Sequence, residues 1–286
     1  MEDWLWTALL RALAFGTPIL LAGLGEIYAE RSGVVNLGVE GMMALGALAA
    51  FATAQTSGSP ALGLLAALAA AALAALLFAM AAVGLRANQY VAGLALSMLG
   101  LGLAGLLGKP FEGAPLERTL PEGAFVAGAL LLALALWFFL QHTYWGLVLR
   151  SAGENPEAVD AMGVNVFLVR YAAVAFGGAM AGLAGAFLSL AYRPSWADGI
   201  TSGLGWIAVA LAIFASWHPL KAALAALFFG ALYHLSYRLQ AQVTPELLKA
   251  MPYLFVVLVL SLSALGRGPS GAPEALGTPY ERGERR

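Results

Sequence analysis

Glu154, Asn155, Glu157 and Asp160 fall within seven residues of one another, in a polar stretch from Arg150 to Val166, and Gly163 follows them. Apolar sequence long enough to cross a bilayer lies on both sides. The plainest reading of such a stretch is a solvated loop, but its local design says more. Asn155 can cap a helix whose first residue is Pro156, Glu157 then sits in a first turn that favours negative charge, and Gly163 can end it. The product is a short amphipathic helix across a membrane face, where clustered carboxylates can dock a soluble partner. Upstream, Tyr144, Trp145 and Arg150 are the aromatic and basic residues that anchor a chain at an interface.

A second group, Glu26, Glu30, Arg31, Asn36 and Glu40, surrounds Gly33, Gly38 and Gly41. Glycines at that spacing predict a broken or tightly turned backbone. Polar groups at membrane depth are costly and usually face a cavity or a partner. The group therefore reads either as the lining of a pathway or as a polar network that satisfies broken backbone. Asn36 and Glu40 are four apart, so on a helix they would share one face, and Asn88 and Gln89 open a later span. These four are the candidate pathway residues. Arg193, Trp196 and Asp198 lie between two spans; they belong either to an ordinary loop or to a gate or contact for an external partner.

Two nucleotide-like motifs fail on context. Gly100, Gly102 and Gly105 match G-x-G-x-x-G inside an apolar span with no strand before it, which favours helix packing. Gly108 and Lys109 suggest a phosphate loop, but Leu103 holds the first glycine position and Pro110 replaces the required Ser or Thr. Gly178 and Gly182 form a small-xxx-small pair suited to a close helix crossing. His142, His218 and His234 are too scattered to suggest a metal site. No cofactor is expected, and no paired catalytic residues stand at usable spacing.

These residues need a membrane to hold them. The 286 residues are 61% hydrophobic and 11% charged, with mean hydropathy +0.81. Soluble domains run near 25% charged, so the solvent here must be largely lipid. A net charge of -1 gives no basic balance for nucleic acid, and zero Cys excludes disulfides and thiol chemistry. The start, Met1 to Trp4, has no basic region and reads as a retained helix. Apolar stretches predict an all-α polytopic bundle of about nine spans, near 5–28, 36–55, 61–84, 89–108, 123–141, 167–191, 203–217, 219–240 and 250–265. The seventh is short and is broken at Pro219. Residues 1–265 then form the membrane domain, with 150–166 at its cytoplasmic face, and the Pro-rich, charged 266–286 reads as a disordered cytoplasmic tail. Nine basic residues against six favour that orientation.

The halves of the chain look alike. Ala14-Phe15-Gly16 and Ala22-Gly23-Leu24 return as Ala175-Phe176-Gly177 and Ala181-Gly182-Leu183, each followed by a polar stretch, an apolar helix and a proline, Pro60 or Pro219. Four helices, one spacer and four more would place the halves in opposite orientations, as in transporters with inverted repeats.

Three segments carry a resemblance: Glu30 to Met43 (ERSGVVNLGVEGMM), Arg86 to Leu96 (RANQYVAGLAL) and Trp145 to Asn165 (WGLVLRSAGENPEAVDAMGVN). They resemble the permeases of bacterial ATP-binding cassette importers for branched-chain amino acids, ribose and other simple sugars, and nucleosides. The first is closest to the nucleoside branch; sugar permeases carry a different Gly-Gly-Ile-Asp-like sequence there. The resemblance covers about 10–265 and implies a fold like the vitamin B12-type importer permease. It also implies a non-enzymatic, multi-pass subunit of the bacterial cytoplasmic (inner) membrane, forming half of a translocation pathway surrounded by membrane lipid. Its implied partners are a second paralogous permease, a cytoplasmic ATP-binding subunit that hydrolyses ATP, and an external solute-binding lipoprotein. Gly153, Glu154, Asn155, Pro156, Glu157 and Gly163 match the coupling helix that meets the ATPase. The implied solute is a nucleoside or a related small ring-bearing solute such as a flavin, and a simple-sugar permease of the same class is the alternative. A self-contained secondary transporter or channel is a further one, for which Glu26 and Glu40 would be the coupling charges.

Overall fold

The computed structural model describes residues 2–239, scattered positions between 243 and 261, and residues 271–282. Ten α-helices occupy the first of these: α1 (Glu2–Arg31), α2 (Val39–Ser57), α3 (Pro60–Ala79), α4 (Gln89–Gly108), α5 (Glu122–His142), α6 (Tyr144–Glu154), α7 (Pro156–Ala161), α8 (Val166–Phe187), α9 (Leu204–Phe214) and α10 (Pro219–Leu239). Single π-helical turns extend α3 over Met80–Gly84 and α8 over Leu188–Tyr192. Among the described residues, the only pairing of strand type is two isolated bridges, Glu112 with Trp196 and Pro115 with Ser195.

Helix boundaries follow local chemistry. The Ser59 hydroxyl accepts from the Leu62 N–H and Pro60 occupies the first helical position of α3. Asn88, Asn155 and Asn165 cap α4, α7 and α8 with their side-chain oxygens. Gly58, with φ +68°, ends α2 in the left-handed conformation.

Among the described residues, six stretches are long and apolar enough to cross a membrane: Trp6–Arg31, Pro60–Gly84, Gln89–Phe111, Glu122–His142, Val166–Tyr192 and Pro219–Ser236. They match the expected first, third, fourth, fifth, sixth and eighth spans. The expected second span is α2, a 19-residue helix that opens on Val39 and the buried Glu40. The expected seventh is α9, whose 11 residues cover about 16 Å at 1.5 Å per residue, too little for a bilayer core. Leu204 is preceded by turns over Gly199 and Gly203, both at positive φ, so the rest of that passage is non-helical. The ninth span, 250–265, lies largely outside the described residues.

α1 and α8 are the most enclosed of the long helices and α5 the least. Leu65, Leu73 and Leu77 of α3 and Leu131, Leu134 and Phe138 of α5 stay exposed, as suits a surface bathed in hydrocarbon. Small residues let the inner helices approach. A Cβ on Gly25 would stand 2.7 Å from the Gly177 carbonyl oxygen, and one on Gly46 would stand 2.5 Å from the Gly182 Cα. Gly178 and Gly182 do form the close crossing expected of them: Cβ atoms there would strike Ala71, Ala75 and Ala67 of α3.

The packing has a two-fold pattern. α1 packs on α10 through Gly16 and Ala226, and α8 packs on α3 through Gly182 and Ala67. α1 meets α9 at Gly23 and Leu211, whereas α8 meets α2 at Gly185 and Met43. Exchanging α1, α2, α3 for α8, α9, α10 therefore exchanges one set of contacts for the other. α1 and α8 meet each other, antiparallel, near Gly25 and Gly177, with Ser32 beside Arg170.

Candidate coupling face and broken membrane segments

The polar stretch from Arg150 forms the junction of α6 and α7. Tyr144, Trp145 and Leu147 of α6 are exposed while Val148, Leu149 and Ala152 are buried, so α6 has one apolar and one enclosed face, as expected of an interfacial helix. Asn155 sits between the helices at φ -145°, ψ 87°, and its Oδ1 accepts from the Ala158 N–H at 2.9 Å. Pro156 starts α7, Glu157 lies in its first turn, and Gly163 takes φ +83° just beyond it. Gly153 is a close-approach glycine: a Cβ there would run into the Arg31 carbonyl. Glu154 lies 3.9 Å from the Arg31 guanidinium and is about half exposed, and Glu157 is exposed. The structure thus brings the six expected coupling residues together in one small surface element.

Behind that element lie two arginines: Arg31, of the polar group around Gly33, and Arg170, which the sequence marks only as a charge in a connection. Arg31 donates to the carbonyls of Trp217 (3.2 Å) and Ser216 (3.3 Å) in the turn between α9 and α10, and to that of Gly271 (3.0 Å). Ser216 and Trp217 both take positive φ, 52° and 54°, a strained arrangement for non-glycine residues. The Trp217 indole N–H is given to Glu30. His218, in the same turn, is held below its ordinary pKa by burial and then by Lys221 and Arg31. Arg170 is 2% exposed and donates to the carbonyls of Ser32 (3.1 Å) and Thr278 (3.0 Å). No spacing signal marks Arg170; its guanidinium serves backbone oxygens that come from distant parts of the chain.

Composition reads 266–286 as disordered, but residues 271–282 lie in turns against this same face. The Ala275 N–H donates to the Gly153 carbonyl at 2.9 Å and the Gly277 N–H to the Gly33 carbonyl at 3.1 Å. Tyr280 is buried among Val148, Ala152, Val159 and Val166. Mean hydropathy misses such a segment because it is held by backbone hydrogen bonds and one aromatic side chain.

The four candidate pathway residues all sit where backbone is broken. Asn36 does not share a helical face with Glu40, because α2 begins only at Val39. Gly33, at φ +93°, turns the chain out of α1. The Asn36 N–H donates to Glu26 Oε1 (2.9 Å) and its Oδ1 accepts from the Gly38 N–H (2.9 Å). Gln89, 2% exposed, accepts from the Val35 N–H at 2.8 Å. Asn88 caps α4 from an exposed position. Glu40 is 2% exposed and accepts from the Thr201 hydroxyl (2.5 Å) and the N–H groups of Gly203 (2.9 Å) and Gly205 (2.7 Å). A carboxylate of the first half of the chain therefore holds the positive end of α9, in the second half.

Trp196 lies in the non-helical connection ahead of α9, as expected of a loop residue, but it is buried. It is 2% exposed, and its indole covers Gly108 at the end of α4. An open apolar cleft of about 670 Å³ is lined by Leu136, Phe139, Trp145, Leu149 and Phe176. Its Tyr28 hydroxyl is already donated to the Leu136 carbonyl, so this cleft has little to offer a hydrophilic solute.

Six apolar helices among the described residues, with buried broken segments between them and a capped polar helix at one end, make this a multi-pass membrane protein. The chain belongs to the family of branched-chain amino acid transport system permease components, whose profile matches residues 8–260. It is 36% identical to a guanosine ABC transporter permease of Bacillus subtilis, over 96% of both chains. It is 32% identical to a nucleoside ABC transporter permease of Lactococcus lactis, over 94% of both. A Haloferax volcanii protein described provisionally as a glucose ABC transporter permease is 37% identical, over 93% of this chain and 94% of its own. No solved structure matches. As a permease component of an ATP-binding cassette transporter, the chain leaves ATP hydrolysis to a separate subunit.

Proposed function

We propose that this chain forms half of the translocation pathway of an ATP-driven importer for nucleosides. The observation that carries the reading is the juxtaposition at one end of the bundle. The end of α6 at Gly153 lies directly against the Arg31–Gly33 backbone, where the first broken segment begins, and its exposed Glu154 leads through Asn155 into the capped α7 with exposed Glu157. A cytoplasmic ATP-binding subunit that moves the α6–α7 junction would therefore act on that segment. The similarity to guanosine and nucleoside permeases supplies the solute class.

The exchange of contacts between α1–α3 and α8–α10 supports an inverted repeat, with nine spans and a fold like that of the vitamin B12-type importer permease. In that arrangement the α7 end is cytoplasmic, a second, paralogous permease supplies the other half of the pathway, and an external lipoprotein delivers solute. Lipid covers the exposed apolar faces of α3 and α5.

The mechanism is alternating access. ATP binding draws the ATPase halves together, Gly153 to Gly163 follow, and the pathway opens outward; hydrolysis resets it. Glu40, Asn36 and Gln89 hold the non-helical backbone whose movement opens the pathway, and Asn88 fixes the start of α4 beside it. Irregular backbone at membrane depth is tolerated where it is buried in protein or lines a water-filled cavity.

One observation favours a second reading, a simple-sugar importer: the Haloferax volcanii relative described for glucose is as similar as the nucleoside permeases. Binding measurements on the associated lipoprotein against nucleosides, simple sugars and flavins separate the two. Nucleoside binding with no sugar binding supports the proposal, and sugar binding alone overturns it.

A further inference from the structure

The coupling helix is too slight to transmit force alone. α7 has six residues and buries only Val159, and isolated helices of that length are unstable in water. The extended Asn155 between α6 and α7 is a natural hinge at which α7 could swing without moving α6.

Residues 271–282 span that hinge. On the α6 side the Ala275 N–H binds the Gly153 carbonyl at 2.9 Å. On the α7 side Arg282 pairs with Asp160 at 3.1 Å. Between them Tyr280 fills the space among Val148, Val159 and Val166, its ring 5.5 Å from that of Phe167. The same segment reaches inward. Gly271 accepts from Arg31 and Thr278 from Arg170, each at 3.0 Å, and the Gly277 N–H reaches the Gly33 carbonyl at 3.1 Å. Glu281 pairs with Arg86 at 2.5 Å, ahead of α4. The segment thus ties α7 to α6, to the end of α1, to the start of α8 and to the chain entering α4.

We infer that residues 271–282 are a strap that locks the coupling helix to these helix ends and forms one wall of the surface the ATPase meets. A groove of about 370 Å³ runs between α7 and the strap, with Glu154 and Glu157 on one side and Glu274 and Glu281 on the other. The ATPase therefore meets a two-part surface. The inference rests on the coupling role proposed for α7. With the strap in place, displacement of α7 moves α1 and α8; without it, α7 swings about Asn155 and the displacement is lost.

The test uses the assembled importer in inverted membrane vesicles and reads solute moved per ATP hydrolysed. A chain ended after residue 270, and separately Tyr280→Ala, should lower that ratio about tenfold, within the 5–150-fold range of ordinary coupling between sites. The native chain has no Cys, so Asp160→Cys with Arg282→Cys allows the strap to be fixed to α7 by a short thiol cross-linker. The cross-linked importer should keep its ratio, because strap and helix move as one. An unchanged ratio in the truncated chain or in Tyr280→Ala overturns the inference, and so does loss of transport on cross-linking, which would mean that the strap must leave. Should the truncated chain fail to reach the membrane, Tyr280→Ala decides. Glu157→Lys, run in parallel, separates the two levels. If it uncouples while the strap variants do not, the strap alone fails; if it leaves the ratio unchanged, the coupling role of α7 itself fails.

Discussion

Replacing Glu40 by Gln changes one oxygen into an NH2 group at a site where both oxygens are used. Oε1 receives the Thr201 hydroxyl and the Gly203 N–H, and Oε2 receives the Gly205 N–H. A glutamine can keep its carbonyl toward Thr201 and Gly203, but its NH2 then faces the Gly205 N–H, donor against donor. The side chain is 2% exposed, so water cannot stand in. One orphaned buried N–H costs about 1–3 kcal/mol, and the loss of negative charge at the α9 N-terminus adds about 0.3–1 kcal/mol. Glu40→Leu orphans the Gly203 and Gly205 N–H groups together, for about 2–6 kcal/mol on the same scale. Thr201→Val removes one donor and leaves the carboxylate its two backbone partners, so it should cost only about 1 kcal/mol. Thermal unfolding of the detergent-purified importer, followed by loss of the monodisperse species on heating, should rank the variants Thr201→Val, Glu40→Gln, Glu40→Leu in order of increasing damage. Wild-type stability in Glu40→Gln would refute the claim that this carboxylate holds the two halves of the chain together.

Further outcomes follow from the same geometry. Glu154→Lys or Glu157→Lys should leave insertion intact but lower uptake relative to ATP hydrolysis; each exposed pair contributes only about 0–1 kcal/mol to stability, so normal melting with full uptake would contradict the coupling role. Gly25→Leu forces a side chain against the Gly177 carbonyl and Met180 and should destabilise by about 1–3 kcal/mol, read by the same thermal assay. A Cys at exposed Ser57, at the far end of α2, should react with a membrane-impermeant maleimide in intact cells, whereas one at Glu157 should react only in inverted vesicles. The reverse labelling would overturn the orientation.

Much of this arrangement was legible in the sequence where physics is local. Asn155, Pro156 and Gly163 announce α7 because caps and turns depend on neighbours in sequence. Gly178 and Gly182 announce a crossing because only small residues admit it. The long apolar helices follow from composition alone. The broken segments were harder. Gly33 signals a turn, but no local pattern marks where α2 resumes, so the sequence puts Asn36 on a helix that begins three residues later. The partners of Glu40, Gly203 and Gly205, arrive from more than 160 positions away, so no local pattern announces them. Arg170 and residues 271–282 were missed for a related reason. Their partners are backbone carbonyls and N–H groups, which every residue carries and no motif records.

The central claim is tested most directly by transport itself. Proteoliposomes holding this chain with its partner permease and ATPase, supplied with the binding lipoprotein, should accumulate labelled guanosine only when ATP is present on the ATPase side. Unlabelled nucleosides should suppress that uptake and glucose should not. Accumulation without the ATPase, or uptake that glucose suppresses and nucleosides leave untouched, would contradict it.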